Sequence, residues 1–359
     1  MLANRQALVL GMVTSIALFF STTANADFDV ITGWDKQLFP SYLVATATMK
    51  KNPAPTTDDE ESTSDQTDSD SSDEPAQSDE LSEDEPTEGE NAAEDESSEE
   101  GTTEESEEVS QAEILGNADG PLGVIIEAPE DDTWVEVEIE APGILEPSRW
   151  AGWLSSAGTE YTIYPPMKFN YKALVANKQV IPVPVTYRVT LGDDEPAEHT
   201  ETLTLRSIND CPFAIVWDEQ HGQDVSFMFA AYVNEQHPFV DKVLREALNR
   251  GIVDSFTGYQ SGNPETVYKQ VYAIWDALSQ RDVRYSNITA SAADSQIVRS
   301  QHVRLIDESI NNAQANCVDG SVLLASVLRK IDIQPALVFV PGHCYLAFAL
   351  DPDGKEWAG

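Results

Sequence analysis

A long acidic stretch is the feature that most limits how this chain can fold. No Lys or Arg occurs from position 52 to position 148, and 26 of the 63 acidic residues lie within residues 58–113. Ser, Thr, Pro and Gly fill most other positions there, and Leu81 and Val109 are its large aliphatic residues. Such a segment cannot bury enough apolar surface to offset its chain entropy, and its charges repel one another. We therefore predict that residues 52–113 are disordered.

Two roles are open to this acidic tract. It is a solvated spacer, which is the interpretation we favour, or it is a tail that binds divalent cations or a basic partner. The tract also explains much of the formal net charge of −42. A chain this acidic lacks the positive face that binds nucleic-acid backbone, and it is poorly suited to anionic lipid surfaces. We expect neither as a partner.

The first 26 residues have the layout of a secretory signal peptide. Arg5 is the only basic residue before position 36, a mostly apolar run follows at 7–20, and Ala24-Asn25-Ala26 supplies small residues for cleavage. An uncleaved membrane anchor is the alternative, but the apolar run is shorter than the ~20 residues needed to cross a bilayer. We expect cleavage after Ala26, export to a bacterial periplasm or the extracellular space, and no stable membrane insertion of the mature protein.

The centre of the chain has the pattern of a β-sandwich. Residues 133–141 read T-W-V-E-V-E-I-E-A, and this alternation predicts a strand with one buried face. Further strands are predicted at 123–127, 161–164, 181–191 and 201–205. We place an N-terminal β-sandwich domain at 114–209. The β-prone residues 39–48 predict one more strand, so segment 27–51 is expected to join the sandwich from the other side of the acidic tract.

The pattern changes to helical spacing in the last third of the chain. Apolar residues recur every three or four positions in 238–250 and 263–280, which predicts two helices, each with a Pro in its first turn. The second helix is predicted to bury a stripe of six side chains: Val267, Tyr268, Val271, Ile274, Trp275 and Leu278. A third helix is predicted from Cys317 to about position 331, followed by strands at 336–340 and 343–350.

Cys317 and His343 have the chain order of a thiol enzyme. A Cys at a helix start meets the positive end of the helix dipole and unpaired N–H groups, both of which favour the reactive thiolate. Its backbone amide is placed to stabilise an oxyanion. A His on a nearby strand can take the thiol proton and later protonate a leaving amine. We therefore predict Cys317 as the nucleophile and His343 as the base.

This region resembles the bacterial transglutaminase-like superfamily. The matching residues are Cys317-Val318-Asp319-Gly320-Ser321, Leu323-Leu324, Leu328-Arg329-Lys330, Ile333, Pro335, Val338 and His343. The resemblance covers 225–359 and implies a C-terminal α+β domain with the transglutaminase-like, papain-like cysteine protease fold. It further implies chemistry on amide or peptide bonds through a Cys thioester. An amide side chain before the Cys is then expected to complete the oxyanion hole, and Gln314 is the candidate.

The sequence departs from that family after the His. Family members often have Trp and an acid where this chain has Tyr345 and Ala347. Their third catalytic residue usually lies on the strand after the His, and the same count from His343 reaches the last residue, Gly359. We therefore expect a domain truncated at its C-terminus, with the third catalytic residue beyond Gly359. Asp351, in an expected hairpin turn, is the alternative orienting acid.

Three cysteines are too few for a disulfide-built scaffold. In an exported protein one pair can still be bridged, and a Cys211–Cys344 bridge would leave Cys317 free. A buried, structural Cys317 is the other interpretation. The five His residues form no close metal-ligand pair, so neither a metal nor another cofactor is expected.

Two functions follow from these expectations for a multidomain chain. The first is an exported thiol enzyme, either a protease or amidase or an acyl transferase, with a protein or peptide substrate. The second is a catalytically inactive transglutaminase-like binding or scaffold protein of the cell envelope, which the departures after His343 favour. Neither the substrate nor the oligomeric state follows from the sequence.

Overall fold

The computed structural model describes residues 27–51, 113–218, 220–287 and 295–359. The predicted signal peptide lies outside the described residues, as does the predicted disordered tract apart from Glu113, which begins a strand. The described part of the chain is mixed α/β with several sheets, one of them curled into a half-barrel. None of its helices is long and apolar enough to cross a membrane.

The first half of the described chain consists mostly of strands. Its elements are β1 (Phe28–Thr32), β2 (Gln37–Leu38), α1 (Pro40–Lys51), β3 (Glu113–Gly116), β4 (Leu122–Glu127), β5 (Thr133–Ala141), β6 (Leu145–Leu154), β7 (Glu160–Tyr164), β8 (Lys168–Phe169), α2 (Tyr171–Ala176), β9 (Ile181–Leu191) and β10 (Ala197–Leu205). They form one sheet in the order β1-β4-β7-β3 and another in the order β2-β10-β9-β5-β6-β8. Neighbouring strands are antiparallel except β3 beside β7 and β2 beside β10.

The alternating sequence of β5 forms a strand with one buried face, as predicted. Val135, Val137 and Ile139 are at most 1% exposed. On the opposite face, Glu138 accepts a hydrogen bond from Arg188 at 2.9 Å. Buried side chains from both sheets join one hydrophobic core, so the two apolar faces are removed from water together.

The predicted strand at 39–48 is wrong, because residues 40–48 lie in helix α1. Pro40 is its first residue, where the missing N–H is not needed. The hydroxyl of Thr46 donates to the carbonyl of Tyr42 at 2.8 Å, so a β-branched side chain satisfies its polar group within the helix. Burial of Leu43 in the core of the two sheets outweighs the local β-propensity. The residues just before α1 contribute β1 and β2 to the sheets.

The second half of the described chain alternates helices with short strands. Its elements are β11 (Asp210–Val216), β12 (Gly222–Asp224), a 3₁₀ helix (Ser226–Tyr232), α3 (Pro238–Asn249), α4 (Pro264–Ser279), β13 (Arg284–Tyr285), β14 (Val298–His302), α5 (Ile306–Asn311), β15 (Gln314–Ala315), α6 (Cys317–Lys330), β16 (Pro335–Val340), β17 (His343–Ala349) and β18 (Trp357–Ala358). The sheets have the orders β12-β11-β14, β13-β15 and β16-β17-β18. Helices α3, α4 and α6 pack with β17 around a second core.

The three predicted helices are confirmed, but the buried face of α4 differs from the prediction. Tyr268 and Trp275 are each 53% exposed, whereas Gln270 is 1% exposed. The Gln270 side chain accepts hydrogen bonds from the amides of Thr257 and Gly258 at 2.7 and 3.0 Å. These bonds hold the loop before α4 and turn the amide-bearing face of the helix inward. The aromatic residues at its flanks therefore remain in water.

The two predicted domains share packing in the described structure. Helix α1 packs against β11, and the Ser41 hydroxyl donates to the Asp210 carbonyl at 2.6 Å. Lys178, two residues after the end of α2, donates to Glu308 of α5 at 2.6 Å. All described residues fall in one compact unit, so a separation into two domains between 209 and 225 is not confirmed.

Candidate active site around Cys317

Helix α6 places Cys317 at its first residue, directly after a closed N-terminal cap. The Asn316 side-chain oxygen accepts from the Asp319 amide at 2.9 Å, and the Asp319 carboxylate accepts in return from the Asn316 amide at 2.9 Å. This capping box satisfies two N–H groups, one of them at the helix start. Cys317 is partly exposed at the positive end of the α6 dipole.

A buried ion pair fixes this cap. Arg304, which lies just beyond β14, donates from Nη1 to Asp319 Oδ2 and from its backbone amide to Oδ1, both at 2.8 Å. The two side chains are 7% and 0% exposed. With the Asn316 amide, three donors converge on one carboxylate, which is what a buried charge requires. Sequence reasoning missed this role of Asp319 and Arg304, although the Asn-x-x-Asp spacing is the signal of a capping box.

All three cysteines are free thiols in the described structure, so the Cys211–Cys344 bridge is not formed. Cys211 and Cys344 are buried members of one hydrophobic cluster, and Cys317 packs against it. Burial raises the pKa of Cys211 well above its ordinary value. Burial also raises the pKa of Cys344 to about 11. The nearby Cys317 thiol adds to this increase, and a hydrogen bond with Ser321 reduces it. Cys317 is therefore the accessible thiol of the three.

His343 does not pair with Cys317 in this structure. It is the first residue of β17, and its side chain lies on the exposed face of the β16–β17 hairpin. Strand alternation turns the next residue, Cys344, toward α6, where it is 2% exposed. No hydrogen bond joins His343 to Cys317 in the described part of the chain. The predicted nucleophile and base thus lie on neighbouring elements without a hydrogen bond between them, and Cys344 occupies the inward position.

Asp351 is engaged in a turn rather than with His343. Its carboxylate accepts hydrogen bonds from the amides of Asp353, Lys355 and Glu356 at 2.7–3.2 Å. The bond from the Glu356 amide is the leading reason that the pKa of Asp351 lies below its ordinary value. The predicted orienting acid therefore closes the turn between β17 and β18.

The strand expected after the His is present as β18, but it carries no acid. Its two residues, Trp357 and Ala358, pair with the end of β17. Gly359 follows and lies against Ala347 of β17. A Cβ added at Gly359 would be 3.0 Å from the Ala347 Cα. None of these three C-terminal residues has a carboxylate or amide side chain that could orient His343. A third catalytic residue beyond Gly359 therefore stays a prediction, as does the truncated domain that it implies.

Gln314, the predicted oxyanion donor, lies in β15, which pairs in parallel with β13. Its side chain is exposed and has no hydrogen bond within the described residues. The buried amide beside the thiol belongs to Asn316, whose Nδ2 has no hydrogen-bond partner in the described structure. Sequence reasoning chose Gln314 rather than Asn316, although the position of Asn316 one residue before Cys317 was an available signal.

The candidate site was also checked for a metal centre and for similarity to known proteins. In the described ranges, no group of three or more His, Cys, Asp or Glu side chains is arranged to hold a metal ion. A scan against protein-family models and a search of curated proteins found no match to this chain.

Proposed function

We propose that the chain is an exported thiol enzyme that acts on amide or peptide bonds, with Cys317 as its nucleophile. The observation that carries this proposal is the accessible thiol at the first residue of α6, beside a cap that a buried ion pair makes rigid. A rigid cap keeps the thiol and the helix-start N–H groups in fixed geometry, which is what preorganised stabilisation of an oxyanion needs. The proposal includes a β-sandwich followed by a transglutaminase-like domain, because strand-rich and helix-rich halves follow each other along the chain.

The chemistry proceeds in two half-reactions. His343 takes the Cys317 proton, and the thiolate attacks the carbonyl carbon to form a C–S bond. The C–N bond breaks, and the leaving amine receives its proton from the His343 imidazolium. Water then attacks the thioester with His343 as base, or an amine does so in an acyl transfer. The C–S bond breaks, and Cys317 leaves as a thiol with the proton that His343 took from the attacking group. The helix-start N–H groups stabilise the negative oxygen in both half-reactions.

This mechanism requires one local rearrangement. His343 must bring its ring across the end of the hairpin to Cys317. It is the first residue of β17 and follows Gly342, which has φ +77° and open space where a side chain would lie. A change confined to these two residues disturbs only the Val340–His343 pair at the end of the hairpin. A register shift would instead move every side chain of the strand.

A second function is favoured by a specific observation. His343 faces solvent and Asp351 is bound to its own turn, so no Cys–His–acid hydrogen-bond chain is assembled within the described residues. A binding or scaffold protein of the cell envelope needs no such chain. On this alternative Cys317 has a packing role, and the protein recognises a partner without chemistry.

An acylation experiment distinguishes the two functions. The full-length protein is incubated with a peptide p-nitrophenyl ester, and adducts are mapped by mass spectrometry. The enzyme proposal predicts an acyl group on Cys317, absent in Cys317→Ser and retained in Cys211→Ser, a matched control for a buried thiol of the same cluster. His343→Ala is expected to slow turnover of an amide substrate by about 10²–10⁴-fold. Absence of any Cys317 adduct in the wild-type protein contradicts the enzyme proposal and supports the binding protein.

A further inference from the structure

Strand β16 has a backbone edge without a partner strand. It pairs with β17, and no other described strand lies along its second edge. A two-residue turn joins β16 to β17, so Val340 and His343 form a hydrogen-bonded pair and the bonded positions alternate from there. The backbone N–H and C=O groups of Leu337 and Phe339 therefore point to the open edge.

A groove of about 550 Å³ runs along this edge, between β16, the 3₁₀ helix and α6. Residues that line it include Phe227, Ala325, Arg329, Pro335, Leu337 and Phe339. The last three are alternate residues of β16, so their side chains project from one face of the strand. The volume falls within the roughly 300–1,000 Å³ of known ligand pockets.

The groove is apolar along most of its length and polar at one end. Phe227 and Phe339 are 52% and 39% exposed, although large aromatic side chains gain free energy by burial. Arg329 and Glu235 lie at the polar end, with Nε and Oε2 3.4 Å apart. Unpaired backbone groups beside an apolar surface match one kind of ligand, an extended peptide. Its main chain bonds to the edge, and its alternate side chains fill the groove.

The groove leads toward Cys317. Strand β16 returns along α6, so Pro335 and Arg329 lie near the end of the helix. At the other end Phe339 pairs across the hairpin with Cys344, which lies beside the Cys317 thiol. A peptide bound along β16 therefore extends toward the start of α6.

We propose that the β16 edge and its groove bind an extended peptide, with apolar side chains at alternate positions, as an added strand. The peptide is the substrate of Cys317, and for this identity the inference rests on the proposed function. A second copy of the chain paired through β16 is the competing occupant, and the experiment below distinguishes it.

The test measures peptide binding without chemistry. Full-length Cys317→Ser is titrated into a fluorescein-labelled peptide of sequence Thr-Val-Lys-Val-Thr-Val, and the Kd is read by anisotropy. Two isomers of this peptide carry backbone N-methyl groups. In the first isomer the three valines are methylated, and in the second the two threonines and the lysine are methylated. Because only alternate N–H groups of an added strand face its neighbour, one isomer is expected to lose at least tenfold in affinity and the other to stay within about threefold. Phe227→Ser is expected to weaken binding about tenfold, whereas Tyr272→Ser, an exposed aromatic control on α4, leaves the Kd unchanged.

Three results would overturn the inference. The first is equal affinity for the two isomers, and the second is an unchanged Kd in Phe227→Ser. The third is a dimer of the chain, observed by sedimentation, that the Phe227→Ser substitution dissociates. A different result separates this inference from the proposed function. If Cys317→Ser binds the peptide as expected while the wild-type protein neither cleaves nor transfers it, the edge site stands and the catalytic proposal fails.

Discussion

Replacing Asp319 by Ala tests whether the buried ion pair holds the start of α6. The substitution removes a carboxylate that accepts three hydrogen bonds, at 2.8, 2.8 and 2.9 Å. The Arg304 guanidinium, the Arg304 amide and the Asn316 amide then lose a buried partner. Each orphaned donor costs about 1–3 kcal/mol, but these costs do not simply add within one network. Loss of one partner of a buried ion pair costs about 3–5 kcal/mol in total. We expect the free energy of unfolding to fall by about 4 kcal/mol.

Urea denaturation measures this change. With a slope of about 3 kcal/mol/M, a loss of about 4 kcal/mol lowers the midpoint by about 1.3 M. The matched control is Asp353→Ala, which removes an ion pair between Asp353 and Lys355. The side chains of these two residues are 65% and 78% exposed, respectively. An exposed pair of this kind contributes at most about 1 kcal/mol.

A double variant separates charge from packing. Arg304→Met with Asp319→Leu removes both buried charges, and we expect it to recover most of the stability that Asp319→Ala loses. The reasoning is refuted if Asp319→Ala is no less stable than Asp353→Ala. It is also refuted if the double variant is as unstable as Asp319→Ala.

Two further predictions concern other buried polar groups. Burial opposes ionisation of Asp210, yet bonds with His302, Arg206 and the Ser207 amide hold its pKa below the ordinary 3.8. Its carboxylate therefore stabilises the fold above pH ~3.8 and loses this effect as the pH falls through the native pKa. We expect Asp210→Asn to have a lower free energy of unfolding than the wild type at pH 7, and this difference to narrow toward pH 3. A difference that stays constant with pH would contradict the prediction. Gln270→Met removes the bonds to Thr257 and Gly258, and we expect hydrogen exchange of those two amides to accelerate at least tenfold while Gln280→Met, an exposed control, has no effect.

Local pattern was sufficient where it agreed with the tertiary packing. The alternation in β5 predicted both the strand and its buried face. Apolar residues at helical spacing predicted α3, α4 and α6, and Pro238 and Pro264 marked the first turns of two of them. In these elements a few neighbouring side chains carry all the necessary information.

Tertiary contacts decided the rest. The β-branched residues after Pro40 favoured a strand, but burial of Leu43 against the two sheets made them a helix. Strand alternation puts His343 and Cys344 on opposite faces of β17, but it does not tell which face meets α6. The Arg304–Asp319 pair joins residues 15 apart in sequence, with α5 and β15 between them, and no local spacing reveals it.

The central claim, that Cys317 is the reactive thiol of this chain, is tested most directly by its rate of alkylation. Iodoacetamide is applied at pH 7 to the full-length protein, native and unfolded in urea, and modification of each cysteine is followed by mass spectrometry. We predict that native Cys317 reacts faster than Cys211 and Cys344, faster than the same thiol in urea, and more slowly in His343→Ala. Native Cys317 reacting no faster than the unfolded thiol would contradict the claim.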